Sequence, residues 1–188
     1  FEDLVEVLEV KLRYLIDANE RSNLLIRIAG LRNDELGQPR QALGALSLAL
    51  RECPESFHLL DRMWDIGRQH SMWRDAGSLI RKSLQDSEPE LKFQWFFRLA
   101  ECARDELEDL SEAISSFEVC IGIEPENIAS LRALDNLYGS VENWVRQAET
   151  KEKLLELVTD VGQRAELLLA LSFLYDERLD KLAAARKS

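Results

Sequence analysis

The chain repeats itself at an offset of 71 residues, and this constrains its fold more than any other feature. The stretch RSNLLIRIAGLRNDEL, starting at Arg21, lies over KFQWFFRLAECARDEL, starting at Lys92. Leu24, Leu25, Ile28, Ala29 and Leu36 then fall on Trp95, Phe96, Leu99, Ala100 and Leu107, with Arg27 on Arg98 and Asp34-Glu35 on Asp105-Glu106. The register continues without a gap, placing Ala42 on Ala113, Leu46 on Phe117, Ala49 on Cys120 and Pro54 on Pro125. A third copy starts at Arg164, keeps Leu167, Leu168, Leu171, Ser172, Leu174 and Leu179, and ends at Ala185. Between these copies lies a second kind of unit. Phe1-Glu2-Asp3-Leu4, Trp73-Arg74-Asp75-Ala76 and Trp144-Val145-Arg146-Gln147 recur at offsets of 72 and 71. Two related units therefore alternate, each about 35 residues long, which is the signature of a repeat array. In such an array no unit buries its apolar face alone, and each depends on its neighbours.

Each unit reads as a pair of helices. Leu24, Leu25, Ile28, Leu31 and Leu36 follow the three-and-four spacing of one apolar helix face, and Ala42, Leu43, Leu46, Ala49 and Leu50 repeat it. No stretch of six residues alternates apolar and polar with β-branched enrichment, so no strand is expected. The breaks are short: Gly37-Gln38-Pro39, Cys53-Pro54-Glu55, Ser87-Glu88-Pro89 and Glu124-Pro125-Glu126. Each proline stands where a helix can begin, since its missing N–H costs nothing there. The pattern predicts a lone second helix over 1–17, hairpins near 22–53, 56–87, 90–123 and 127–160, and a partial repeat over 163–188. With 46% hydrophobic and 31% charged residues the chain can bury a core and stay soluble, and 8 Gly and 4 Pro are too few for a loop-rich all-β or disordered chain. The expected fold is all-α: a right-handed superhelix of antiparallel helical hairpins, with residues 1–188 as one repeat domain.

A unit of two helices at this period resembles the tetratricopeptide repeat. Ala29-Gly30, Ala42, Leu46, Ala49 and Pro54 fall at the family spacing, as do Ala100, Ala113, Phe117, Cys120 and Pro125. Small residues such as Gly30 and Ala42 let the helices of a hairpin approach, and larger ones such as Phe117 fill the gap to the next. The intervening units depart from the pattern: Trp64 stands where a small residue is expected, and Gln147 and Lys151 where small apolar ones are. The alternation also looks like long arrays of this family in bacterial proteins. The resemblance implies a non-catalytic protein–protein interaction scaffold that holds a peptide on its concave face. It places Arg27, Asp34 and Glu35 in that groove, then His58, Asp61, Asp65 and Arg68, then Trp95, Arg98, Asp105 and Glu106, then Arg132 and Asn136, and last Glu177 and Arg178. Mixed charge there suits a polar peptide, with Arg able to grip a carboxylate. Arg132 and Asn136 resemble a fragment of the carboxylate-binding set of one chaperone-binding subgroup, but its other basic positions are not supplied.

Composition narrows the partner. With 24 Lys+Arg against 35 Asp+Glu the net charge is -11, which disfavours nucleic acid and anionic membranes and favours a partner with basic segments. There is no run of 18 apolar residues. Cys53, Cys102 and Cys120 form no CxxC and no disulfide framework, and read as reduced thiols used as small hydrophobes in a cytoplasmic setting. A zinc site from Cys53, His58 and Asp61 lacks ligand pairing, no glycine-rich phosphate loop is present, and no nucleophile elbow exists. No cofactor, metal or enzymatic activity is expected. Both ends interrupt a helical pattern, so a piece of a longer protein is expected. Two other roles fit the same residues. One is a structural spacer or self-assembly element, meeting its neighbours through Leu4, Leu8, Leu12 and Leu15 at one end and Leu171, Leu174 and Leu182 at the other. The second is a regulatory domain of a larger multidomain protein.

Overall fold

The spacing of apolar residues and the placement of caps turn this chain into short helices joined by tight turns. A computed structural model describes residues 1–179. The chain forms two compact units, divided between Ser87 and Glu88. The first holds α1 (Glu2–Tyr14), α2 (Ala18–Gly30), α3 (Pro39–Glu52), α4 (His58–Gln69) and α5 (Trp73–Ser83). The second holds α6 (Pro89–Asp105), α7 (Leu110–Ile123), α8 (Ile128–Ser140), α9 (Trp144–Leu157) and α10 (Val161–Leu174). Widened π turns, Leu31–Glu35 and Tyr175–Leu179, follow α2 and α10. Among the described residues there is no strand. Within each unit every helix packs on the next in the chain, which is the packing order of an all-α solenoid. Leu182 and Ala185 lie outside the described residues.

The 71-residue period is written into the backbone. Gly37 and Glu108 both take positive φ, 60° and 50°, in the turns after α2 and α6. Ser71 and Glu142 do the same, at 54° and 56°, in the turns after α4 and α8. The bonds closing these turns also match: Gln38 N–H to the Arg32 carbonyl at 2.7 Å and Asp109 N–H to the Ala103 carbonyl at 2.8 Å, then Met72 to Gly67 at 2.7 Å and Asn143 to Tyr138 at 2.8 Å. They satisfy carbonyls that a helix C-terminus leaves open. Equivalent side chains bind alike. Arg21 donates to the carbonyls of Leu12 and Leu15 at the end of α1, and Arg164 donates to those of Leu155 and Val158 at the end of α9. A cation at a helix C-terminus also meets the negative end of the helix dipole.

Three equivalent helix starts, at Asp17, Glu88 and Asp160, are made in two ways. Asp17 and Asp160 accept the backbone N–H three residues on, each at 2.8 Å. Between them Glu88 makes no such bond, and Pro89 opens α6 with no N–H to satisfy.

Each unit buries an apolar core. In the first, Ala42, Leu43, Leu46, Leu59, Leu60 and Ile80 are fully enclosed. In the second, Phe117 packs with Ala100, Ala103, Ala113, Leu134, Leu137 and Tyr138. The three cysteines are free and buried. Burial pushes the Cys120 thiol up to about 12 and the Cys102 thiol up to about 11, so both stay protonated and behave as small apolar groups.

The positive φ at Glu108 gives a test. An L residue there costs about 1–2 kcal/mol that glycine avoids, while glycine adds chain entropy to the unfolded state. Glu108→Gly, which copies Gly37, is expected to stabilise by about 0.5–1 kcal/mol. Thermal unfolding followed by circular dichroism checks it, and an unchanged or lower Tm would show that the Glu108 side chain offsets the strain.

Candidate functional site

Three helices of the second unit frame a cleft of about 310 Å³. Each helix is fixed at its start by a side-chain cap: Asn127 accepts from Ser130 N–H for α8, Asn143 from Arg146 N–H for α9, and Asp160 from Gln163 N–H for α10. The three-and-four spacing then aligns side chains on the facing surfaces. Arg132, Asp135 and Asn136 come from α8, Lys151 and Leu154 from α9, and Gln163, Glu166, Leu167 and Ala170 from α10.

The floor is an ion pair. Lys151 Nζ donates to Asp135 Oδ2 at 2.7 Å, and the two side chains are only 13% and 14% exposed. Gln147 Nε2 donates to the Asp135 carbonyl at 3.2 Å. The second carboxylate oxygen, Asp135 Oδ1, is buried and has no hydrogen-bond partner among the described residues. Leu154 and Val158 form a buried apolar wall beside the pair. At the rim Arg132 donates to Gln163 Oε1 at 2.6 Å, tying α8 to α10. The arrangement offers cationic donors, a carboxylate and neutral amides around an apolar wall, which is chemistry for holding a ligand.

The residues singled out by the sequence are spread over both units. Arg132 and Asn136 are brought together in this cleft. Arg27 and Asp34 are exposed at α2 and its π turn, with Asn33 donating to Asp34 at 2.8 Å. His58 and Asp61 are exposed in the first turn of α4, and Arg68 pairs with Asp65 at 3.3 Å. Asp105 binds Arg104 through two bonds of 2.6 and 2.7 Å, and this pairing holds its carboxyl below the usual range. Glu35, Glu106 and Glu177 are exposed, and Arg178 lies over the Trp144 ring at 4.8 Å.

Trp95 requires a correction. It was expected to present its ring in a groove, but it is only 6% exposed, and the Arg98 guanidinium lies over the ring at 5.0 Å. A large apolar ring lowers its free energy by burial, and a cation three residues on the same helix covers its face. Trp95 is a packing residue.

The sequence reading missed Asp135, Gln163 and Glu166, and read Lys151 only as a packing irregularity. The signal was present. Counting back 71 residues from Asp135 and Lys151 reaches Trp64 and Ile80, both buried. An apolar pair in one copy has become a charged pair in the next. Gln147 and Lys151, the departures from the repeat pattern, both reach Asp135.

Among the described residues no group of His, Cys, Asp and Glu is placed to hold a metal ion, and no helix is long and apolar enough to cross a membrane. No protein-family model matches the chain, and no curated protein matches it. Solved structures similar to it include the crystal structure of MamA, at 16% identity over 81% of this chain and 85% of that one, with a TM-score of 0.46. Pseudomonas aeruginosa PilF is 15% identical over 100% of this chain and 91% of that one, with a TM-score of 0.45. YrrB, described as a TPR protein with an unusual peptide-binding site, is 15% identical over 76% of this chain and 89% of that one, with a TM-score of 0.34. The description of YrrB names the tetratricopeptide repeat, the family that the sequence resembles.

Proposed function

We propose that this chain is a non-catalytic protein-interaction module that holds a partner peptide in the cleft between α8, α9 and α10. The observation that carries this is the cleft itself: an apolar wall of Leu154 and Val158 beside Asp135, Lys151 and Arg132, on helices whose starts are capped. Such a surface is already ordered, so binding costs little ordering entropy on this side. Apolar walls with a few convergent polar groups are the usual make-up of a ligand site. The net charge of -11 favours partners with basic segments, whose association slows as salt rises. Arg27, Asp34, His58, Asp61, Arg68, Arg98 and Asp105 are proposed as further polar contacts for a longer partner.

The test is peptide selection from a displayed random library, followed by NMR titration of the selected peptides. Shifts are expected on α8, α9 and α10. Arg132→Glu is expected to weaken binding by about tenfold, since it removes a charged hydrogen-bond donor worth about 1.5 kcal/mol or more, while helicity is kept. Peptides whose shifts fall elsewhere, or that bind Arg132→Glu equally well, would sink the proposal.

A second reading has an observation of its own. Of the end residues expected to meet neighbours, Leu8, Leu171 and Leu174 are instead buried within the chain. Val7 and Tyr14 on α1, and Leu169 and Phe173 on α10, are large apolar side chains left exposed. They favour self-association of the array. Light scattering across a dilution series tests this, and a mass that stays monomeric at all concentrations excludes it.

A further inference from the structure

We infer that the cleft between α8, α9 and α10 takes the carboxamide side chain of a glutamine or asparagine in the partner, an inference that rests on the peptide-binding reading above. The juxtaposition of Lys151 Nζ with Asp135 carries it. Lys151 has three N–H donors and places one on Asp135 Oδ2, at 2.7 Å. Asp135 Oδ1 has spare lone pairs and no partner among the described residues. Lys151 and Asp135 both line the cleft, with the acceptor Oδ1 buried beside the ion pair. The side-chain torsion that carries the Asp135 oxygens is broad, so Oδ1 can turn toward a ligand while Oδ2 keeps Lys151.

The other side-chain classes fit this pair less well. A carboxylate would satisfy Lys151 and meet Asp135 as a like charge. An ammonium or guanidinium would satisfy Asp135, and Glu166 on α10, but would meet Lys151 on the floor and Arg132 at the rim. An aliphatic side chain would fill the space and leave Oδ1, already buried, still without a partner. A carboxamide carries an acceptor and a donor on one carbon. Its carbonyl accepts from Lys151 and its N–H donates to Asp135. Its apolar stem lies along Leu154 and Val158, which are buried, and Leu167 and Ala170, which are half-buried. A cleft of about 310 Å³ admits one such side chain with part of its backbone.

The experiment selects a displayed random peptide library on the chain and, in parallel, on the double variant Asp135→Leu/Lys151→Met. That variant keeps the volume of the floor and removes its donor and acceptor, and a circular dichroism melt confirms that it is folded. Glutamine or asparagine is expected at one fixed position in peptides selected on the chain, and not in those selected on the double variant. In a synthetic peptide carrying that anchor, Gln→Glu and Gln→Leu are each expected to weaken binding to the chain by about tenfold, the loss expected when a buried polar group goes unpaired. The same changes should be nearly neutral on the double variant. Peptides that shift α8, α9 and α10 but carry an acidic, basic, hydroxyl or aliphatic anchor would overturn this inference and leave the peptide-binding reading standing. Selection of no peptide that shifts these helices would overturn both.

Discussion

Asp135→Ala is expected to destabilise the second unit by about 3 kcal/mol, because it strands the Lys151 ammonium in a site where that side chain is only 13% exposed. Taking two charges out of water costs several kcal/mol each, and only their mutual attraction and hydrogen bonds offset that cost. Removing one partner leaves the full penalty of the other. The Gln147 bond goes to the Asp135 backbone carbonyl, so it can survive the substitution and does not rescue Lys151. Asp135→Leu/Lys151→Met is expected to recover most of the loss, since an apolar pair of similar volume is often as stable as a buried ion pair. The first unit shows the precedent, with Trp64 and Ile80 buried 71 residues earlier. Urea unfolding of Asp135→Leu, Lys151→Met and the double variant measures the coupling directly. A coupling energy below about 0.5 kcal/mol would mean that the pair is screened like a surface salt bridge. If both the stability cost and the rescue are seen, the charged pair is an addition that folding does not require, which is the expectation for a residue kept for binding.

The repeated architecture was legible because it is carried by local rules. Pro39 and Pro89 open helices, Gly37 supplies a positive φ, and Ala42 and Ala113 mark where helices approach closely. These signals act within a few residues of where they stand. The cleft was only half legible, because its floor joins Lys151 to Asp135 across 16 residues of chain, and a period cannot say where a departing side chain will find a partner. Gln147 and Lys151 looked like defects in the second helix of a hairpin. They are a matched pair of donors aimed at one residue of the first helix. Trp95 failed for the opposite reason. Its register equals that of Leu24 and Leu167, but register fixes only the direction of a side chain, and Leu24 is buried whereas Leu167 lines the cleft. An aromatic with an arginine three residues on has a local way to cover itself.

Phe117→Ala is expected to cost about 3–5 kcal/mol and, on the proposed function, to abolish peptide binding, although Phe117 does not line the cleft. The side chain is 0% exposed and meets the Phe97 ring edge-on at 5.5 Å. Its cluster includes Leu134, Leu137 and Tyr138 of α8, on the helix whose Arg132, Asp135 and Asn136 line the cleft. Tyr138 adds a hydrogen bond from its hydroxyl to Glu118 Oε1, at 2.7 Å, tying α8 to α7. An alanine at 117 leaves a cavity beneath α8 and removes the support that sets its axis. In a repeat array stability is a sum over neighbouring contacts, so the loss should first appear as faster amide exchange on α6, α7 and α8. Phe117→Leu, which copies Leu46 of the first unit, keeps most of the volume and is expected to cost about 1.5 kcal/mol or less. Peptide affinity should then recover with it. If Phe117→Ala lowers stability while affinity measured well below its Tm is unchanged, α8 is held by its cap and by α9 alone. If affinity falls in both variants in proportion to the loss of packing, the core beneath α8 is part of what positions the cleft.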